Sequence, residues 1–433
     1  MKRYQNPILL FCNKLCQSSF SKSVAILASG AALAWIIPVL ASPILTRLYT
    51  PTDFGTFAVF MALVSSVIPA VCGKYEVAMV LPKSNIQGLH LLGISFRVAI
   101  TISLIFLLIV LVFKNYLLTV LNARQLGEWI YLAPLALVST GLMTAMNYFA
   151  NRNKDYKNMA KGKIVNASFV AFTSIILGFF GLGFRGLLTG AITGLIAATI
   201  YFLFLYRKIL SSDLLLWGKA KVELMKRYID FPVYNASGGL LNGITVALPV
   251  FFLSHYFSES IVGYFSLVLR VANLPLSFIS ASVSEVNLKK IVDLVNMKTD
   301  VRPYLIKITI GLTAVVLLPT TILMIFSPSM FSFVFGEKWR EAGVYMQILM
   351  PAMAVRFVSS TLSTTLGATQ NNQLGAIWKI TDFVVTVIVF SIFAPHRDIK
   401  SLLKVFVLMD IALYLFYYLL IWKAAANPRN RIS

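Results

Sequence analysis

The sequence predicts an all-α polytopic membrane protein that crosses a bilayer about twelve times, with both ends in the cytoplasm. Three observations predict it. Of 433 residues, 58% are hydrophobic and only 12% are charged, against about 45–50% and about 25% in soluble domains. Apolar runs of about 20 residues, the length that spans a hydrocarbon core, recur along the chain. Lysine and arginine alternate between the two sides of those runs. The charge deficit is the sharpest of the three, because a soluble surface must be wetted by polar groups.

The elements follow in order. The first span, 23–42, comes after Lys14 and Lys22, which break up the N-terminal apolar stretch and exclude a cleavable signal peptide. The second, 54–73, is followed by Lys74 and Lys83. The third and fourth, 91–113 and 129–150, enclose Lys114 and Arg124 on the opposite side. A basic cluster from Arg152 to Lys163 leads into 164–183, and Arg185 separates that span from 186–206. The longest hydrophilic segment, about 207–234, then divides the chain nearly in half. Spans at 235–255, 261–283, 304–326, 343–366, 374–394 and 402–422 complete the series. Pro38, Pro69, Pro134, Pro249, Pro275, Pro319 and Pro351 fall inside spans, where neighbouring helices make them tolerable.

With this layout 25 of the 38 basic residues lie on the side holding both termini and 9 on the other. The bias makes the first side cytoplasmic and explains the net charge of +22 without nucleic acid. Residues 1–210 form a first six-helix bundle, 211–230 a cytoplasmic linker and 231–433 a second six-helix bundle. Cys12 and Cys16 precede the first span and Cys72 ends the second, so no extracellular disulfide framework is available. Neither a cofactor nor a metal site is expected, and no Walker A pattern is present to use ATP.

A weak internal repeat links the halves. Leu45-Thr-Arg-Leu-Tyr-Thr-Pro-Thr-Asp-Phe-Gly-Thr-Phe57 and Leu253-Ser-His-Tyr-Phe-Ser-Glu-Ser-Ile-Val-Gly-Tyr-Phe265 match at a constant offset, aligning Gly55 with Gly263 and Phe57 with Phe265. Each half holds an even number of spans. The second half therefore enters from the same side as the first, giving parallel repeats about an axis along the membrane normal.

Ionisable groups inside spans are costly and usually face a cavity or a partner. The basic ones are Arg97, Arg270, Arg356 and Lys379; the acidic ones are Asp382 and Asp410; Lys74 and Glu76 lie just past the second span. Ser266, Arg270, Asn273 and Ser277 share one helical stripe, and Arg356, Ser359, Ser360, Ser363, Thr364 and Gly367 form another. Such stripes fit a hydrated central cavity, and small or hydroxyl residues also fit tight helix packing. Arg97 is close enough to the cytoplasmic face to snorkel. Lys379 and Asp382, three apart, fit a local ion pair as well as a functional pair. Asp410, without a basic partner at helical spacing, is a candidate for proton or cation coupling or for an interhelical salt bridge to an arginine. Asp382 and Glu76 are further coupling candidates. The excess of buried cations points to an anionic substrate, because arginine offers a planar fork matched to phosphate or carboxylate.

The Leu45–Phe57 motif resembles the first-loop signature of bacterial polysaccharide (oligosaccharide) flippases of the O-antigen type, in the multidrug/oligosaccharidyl-lipid/polysaccharide exporter superfamily. Gly73-Lys-Tyr-Glu-Val-Ala-Met-Val-Leu-Pro82 is similar to the segment after the second span in those proteins. The sharp motif covers residues 40–82, and the twelve-span layout covers nearly the whole chain. The resemblance implies two six-helix bundles forming a V-shaped alternating-access transporter around a cationic cavity. It implies an undecaprenyl-pyrophosphate-linked oligosaccharide as substrate, moved from the cytoplasmic to the periplasmic leaflet of the bacterial inner membrane. Arg270, Arg356, Arg97, Lys379 and Lys74 would then serve the anion, and Arg47 and Asp53 would be structural, at an outer gate. Membrane lipids, a polysaccharide polymerase and a chain-length regulator would be its partners.

Three other readings compete. A multidrug antiporter of the same superfamily would favour acidic cavity residues. A membrane polymerase or ligase would carry a large periplasmic loop, which this layout lacks. A major-facilitator transporter would carry a Gly/Asp/Arg-rich loop after span 2, where Lys74–Asn85 reads differently.

Overall fold

The computed structural model describes residues 19–210 and 218–426, with side chains from Ala34 onward apart from Leu274. The Cys12–Cys16 pair and residues 211–217 of the expected 211–230 linker lie outside the described residues. Among the described residues there is no β-strand. The long helices are α1 Ser19–Leu48, α2 Pro51–Val67, α3 Asn85–Val120, α4 Ala133–Arg152, α5 Tyr156–Phe179 and α6 Phe184–Leu205. They continue as α7 Ser237–Tyr256, α8 Glu259–Asn296, α9 Arg302–Phe335, α10 Arg340–Thr361, α11 Asn372–Phe393 and α12 Ile399–Ala426. Eleven helical stretches among the described residues are long and apolar enough to cross a membrane, and α1 contributes a shorter apolar piece, Ala34–Leu48. The chain is an all-α polytopic membrane protein.

Several helices outrun their predicted spans. α3 reaches 36 residues and α8 reaches 38. Hydropathy marks only the apolar part of a helix, so polar turns such as 284–296 of α8 escape it. A short amphipathic helix, Lys219–Arg227, also lies in the hydrophilic segment between α6 and α7.

Local chemistry sets the breaks. Gly73 and Lys74 both adopt φ of 61°, which ends the helical run begun by α2. α2 begins at a capping box, Thr50-Pro51-Thr52-Asp53. The Asp53 carboxylate accepts from Thr50 N at 2.9 Å and from Thr50 Oγ1 at 2.6 Å, and Asp53 N donates to Thr50 Oγ1 at 3.2 Å. Pro51 occupies the first helical position, where its missing N–H costs nothing. α5 starts at Asp155, whose carboxylate accepts from Asn158 N at 3.4 Å.

The chain divides into two compact units. Of the described residues, one unit holds those up to Leu45, those of Ile68–Val112 and those of Tyr131–Ser237. In it α5 packs along α6 and α4 on α6. Tyr206 and Tyr201 donate to Asp155 and Asn158, each at 2.8 Å, tying the end of α6 to the start of α5.

The other unit holds the described residues of Thr46–Val67, Phe113–Ile130 and Gly238–Ser433. Here α2 packs on α8, α8 and α9 pack on α10, and α10 and α11 pack on α12. The α2–α8 contact joins the two copies of the repeat. Thr52 Oγ1 and Ser260 Oγ share a hydrogen bond of 2.9 Å, and the two residues are 208 apart in sequence. A Cβ on Gly55 would overlap the carbonyl of Glu259, and one on Gly263 would overlap the carbonyl of Pro51. These are one contact seen from both ends, since 51 pairs with 259 and 55 with 263 at the same offset. A local two-fold axis passing between Thr52 and Ser260 produces this reciprocity. Trp339, fully buried, seals the neighbourhood. Its Nε1 donates to Thr46 O at 2.8 Å, and its ring lies edge-on to Phe54 at 5.0 Å.

Candidate functional site

The polar stripes of α8 and α10 face each other across a pocket of about 450 Å³ within the second unit. α8 contributes Asn273, Ser277, Ser280 and Ser284, and α10 contributes Arg356 and Ser360. The α8 residues are spaced by four, three and four positions, so they lie on one face of the helix. The stripe expected from the sequence covers Asn273 and Ser277. The continuation at Ser280 and Ser284 carries the same spacing and was the available signal.

Hydroxyls fasten the far end of the pocket. Ser280 Oγ and Thr361 Oγ1 are 2.7 Å apart, and Ser284 Oγ donates to Thr361 O at 2.9 Å. Ser277 Oγ instead donates to Asn273 O of its own helix at 2.6 Å. Hydroxyls of both kinds are thus present, some spent on packing and some on their own backbone.

Arg356 is the pocket's charged member. Its Nη2 donates to Asp410 Oδ1 of α12 at 2.6 Å, and its guanidinium carbon stands 5.0 Å from the centre of the Tyr414 ring. The Asp410 side chain is 3% exposed and that of Arg356 33%, so the acid is sealed in the protein while the base opens to the pocket. Among the described residues Nε of Arg356 has no hydrogen-bond partner. Asp410 is therefore the interhelical partner of an arginine, one of the two roles its sequence position allowed. Asp382 of α11 accepts from Thr386 Oγ1 at 3.5 Å, and its charge is felt by both Arg356 and Asp410. Arg356, Asp382 and Asp410 thus form one electrostatic group.

Arg270 sits one turn before Asn273 on α8, half-buried, with no hydrogen bond or ion pair among the described residues. Lys379 Nζ lies beside Gly238 at the start of α7, where an added Cβ would be 3.7 Å away.

The remaining candidates fall in the first unit or at the repeat contact. Arg97 is half-buried on α3. Lys74 pairs with Glu76 at 3.9 Å in the turn after α2. Burial pushes the Glu76 carboxyl above its ordinary range, against the opposing pull of its backbone hydrogen bond and of Lys74. Its Oε2 is buried without a hydrogen bond among the described residues. Tyr75 and Cys72 anchor the same turn, donating to Met225 O at 3.3 Å and Gly141 O at 3.2 Å. Arg47 is exposed at the end of α1, and its carbonyl accepts from Lys338 Nζ at 3.2 Å. Asp53 belongs to the capping box. The structure thus unites Arg356, Asp410 and Asp382, sets Arg270 on the adjoining stripe, and leaves Arg97, Lys74 and Glu76 in the other unit.

Comparison with known proteins gives this architecture its relatives. A family model described as polysaccharide biosynthesis protein matches residues 44–344. No curated protein sequence matches the chain. Among solved structures, the lipid II flippase MurJ in an inward closed conformation superposes with a TM-score of 0.70 at 14% identity, over 93% of this chain and 90% of that one. An inward-facing multidrug resistance MATE family transporter of the MOP superfamily gives 0.60 at 12% identity, over 94% and 96%. A MOP superfamily transporter from Pyrococcus furiosus gives 0.60 at 9% identity, over 93% and 94%. At these identities the structural likeness speaks for the fold.

Proposed function

Because the chain belongs to the polysaccharide biosynthesis protein family, we propose that it is a flippase for an undecaprenyl-pyrophosphate-linked oligosaccharide. It carries an O-antigen or related surface-polysaccharide unit from the cytoplasmic to the periplasmic leaflet of the inner membrane. The chain acts as a transporter rather than an enzyme. A polysaccharide polymerase and a chain-length regulator would receive its product.

One observation carries the reading: Arg356 opens into a hydroxyl-lined pocket, Arg270 stands on the adjoining stripe of α8, and among the described residues the Nε of Arg356 has no hydrogen-bond partner and Arg270 no counter-ion. Pyrophosphate is a dense anion that suits guanidinium donors. Serine and asparagine side chains suit sugar hydroxyls. The prenyl tail can remain in lipid while the head passes. The supporting experiment follows a labelled lipid-linked glycan in inverted vesicles. The expected result is transfer across the bilayer with the wild-type chain and loss of transfer with Arg270→Ala. A glycan that stays on its original face under every ion gradient overturns the proposal.

The carboxylates within the spans, Asp410 buried and Asp382 half-buried, favour one second reading, an ion-coupled small-molecule antiporter. Asp410 and Asp382 are the groups on which such coupling would rest. Dye efflux abolished by Asp382→Asn, with no glycan movement, would select it.

A further inference from the structure

α8 and α9 both rest on α10 and meet each other little. The gap they leave is a crevice of about 210 Å³. Its floor is Met346, Met350 and Phe357 of α10. Pro275 stands on the α8 wall and Pro319 on the α9 wall. Each proline interrupts the regular ridges by which helices interdigitate, so the two walls do not close on each other. The lining is almost entirely apolar. Val315 is 52% exposed, so the crevice opens at an exposed, apolar flank of α9.

Leu276 and Phe357 line this crevice and also line the Arg356 pocket. The two spaces are therefore neighbours within one unit, one polar with an arginine, the other apolar with two methionines on its floor. A lone apolar crevice would say nothing about its occupant. Contiguity with a cationic, hydroxyl-lined pocket selects an amphiphile with an anionic, polar head.

We propose that the α8–α9 crevice holds the isoprene units nearest the head of the lipid substrate while the Arg356 pocket holds the head itself. This rests on the flippase reading above and adds where the chain lies. The volume admits only the start of a polyprenyl chain, and the rest stays in the bilayer. Lipid tails are as apolar as the crevice, so its role is to position the chain rather than to supply affinity. Unbranched methionine side chains on the floor adapt to the methyl branches of a prenyl chain.

The test uses the full chain in proteoliposomes and a short prenyl pyrophosphate bearing a benzophenone at its tail. Irradiation is followed by mass-spectrometric mapping of the adducts. The expected result is labelling of Met346 or Met350. It is lost in Val315→Trp, which fills the crevice mouth from an exposed position. It is kept in Leu318→Trp, a substitution on an exposed part of α9 outside the crevice. Thermal melting of both variants establishes that they fold. Labelling that avoids both methionines, or that Val315→Trp leaves unchanged, overturns the crevice. If inorganic pyrophosphate still competes in that case, the flippase reading stands without it. If the equivalent tagged prenyl alcohol labels Met346 and Met350 as strongly, the crevice stands and the flippase reading loses its anionic head. A tagged phosphatidylethanolamine that labels these methionines in preference to the prenyl probe overturns the proposed occupant.

Discussion

Thr52 and Ser260 are 208 residues apart in the chain and hydrogen-bonded at 2.9 Å in space. They occupy equivalent positions of the internal repeat, and the helices that carry them cross at Gly55 and Gly263. The geometry suits a reversible lock. In a background without native cysteines, Thr52→Cys with Ser260→Cys should form a disulfide on mild oxidation. Transport of the glycan should stop on oxidation and return with reductant. Full transport by the oxidised double variant would show that α2 and α8 need not part during the cycle.

Gly55 and Gly263 are each pressed against a carbonyl of the opposite helix. Gly55→Ala should cost about 1–3 kcal/mol, the usual penalty for overpacking. The melting temperature in detergent measures it. Gly367→Ala, where an added Cβ meets nothing within 4 Å, should leave the melting temperature unchanged.

Arg356 and Asp410 should behave as a pair. Removing one partner of a buried ion pair typically costs about 3–5 kcal/mol, because the other charge is left uncompensated. Asp410→Ala should therefore lower the melting temperature strongly. Arg356→Leu with Asp410→Leu should recover most of that stability and still fail to complement a transport-deficient strain. Equal melting of the single and double variants would remove the pair from the stability of α10 and α12.

Arg270 should behave in the opposite way. It has no internal counter-ion among the described residues, so Arg270→Ala leaves no buried charge behind. The variant should melt like the wild type and lose glycan transfer. Full complementation by Arg270→Ala would take this residue out of the substrate path.

Glu76 gives a pH signature. Its carboxyl is raised from an ordinary value of 4.5, chiefly by burial. The folded state therefore holds this proton more tightly than the unfolded chain. The resulting stabilisation is full below 4.5 and is lost as pH rises through the raised value. Glu76→Gln should flatten the melting-temperature profile across that window. An unchanged profile would place the linkage on other groups.

The sequence and the structure agree where apolar length decides. Each predicted span overlaps one long helix, because a run of about 20 apolar residues allows little else. The spans 54–73, 164–183 and 343–366 nevertheless run on past the ends of α2 at Val67, α5 at Phe179 and α10 at Thr361. Helix ends were less legible. The polar turns of α8 from Ser284 to Asn296 lie beyond the apolar window, and Lys219–Arg227 announces itself only by an amphipathic period. In the site, the arginines and the first polar residues of each stripe were visible, since a charge in an apolar run stands out. The pairing of Arg356 with Asp410 was not, because it joins positions 54 apart on different helices. The Gly55–Gly263 match was visible as a coincidence of letters. Only the fold shows that the matched residues touch.

That contact has the form of a homodimer interface carried inside a single chain. Segments that meet at their own axis are bound to change together. A side chain added at 55 collides with residue 259, and its counterpart at 263 collides with residue 51. Elsewhere each half can drift toward its own task, as the Arg356–Asp410 pairing within the second half illustrates. At the crossing neither copy can drift without the other. The repeat is therefore readable as text at a place where its two copies serve as each other's surroundings.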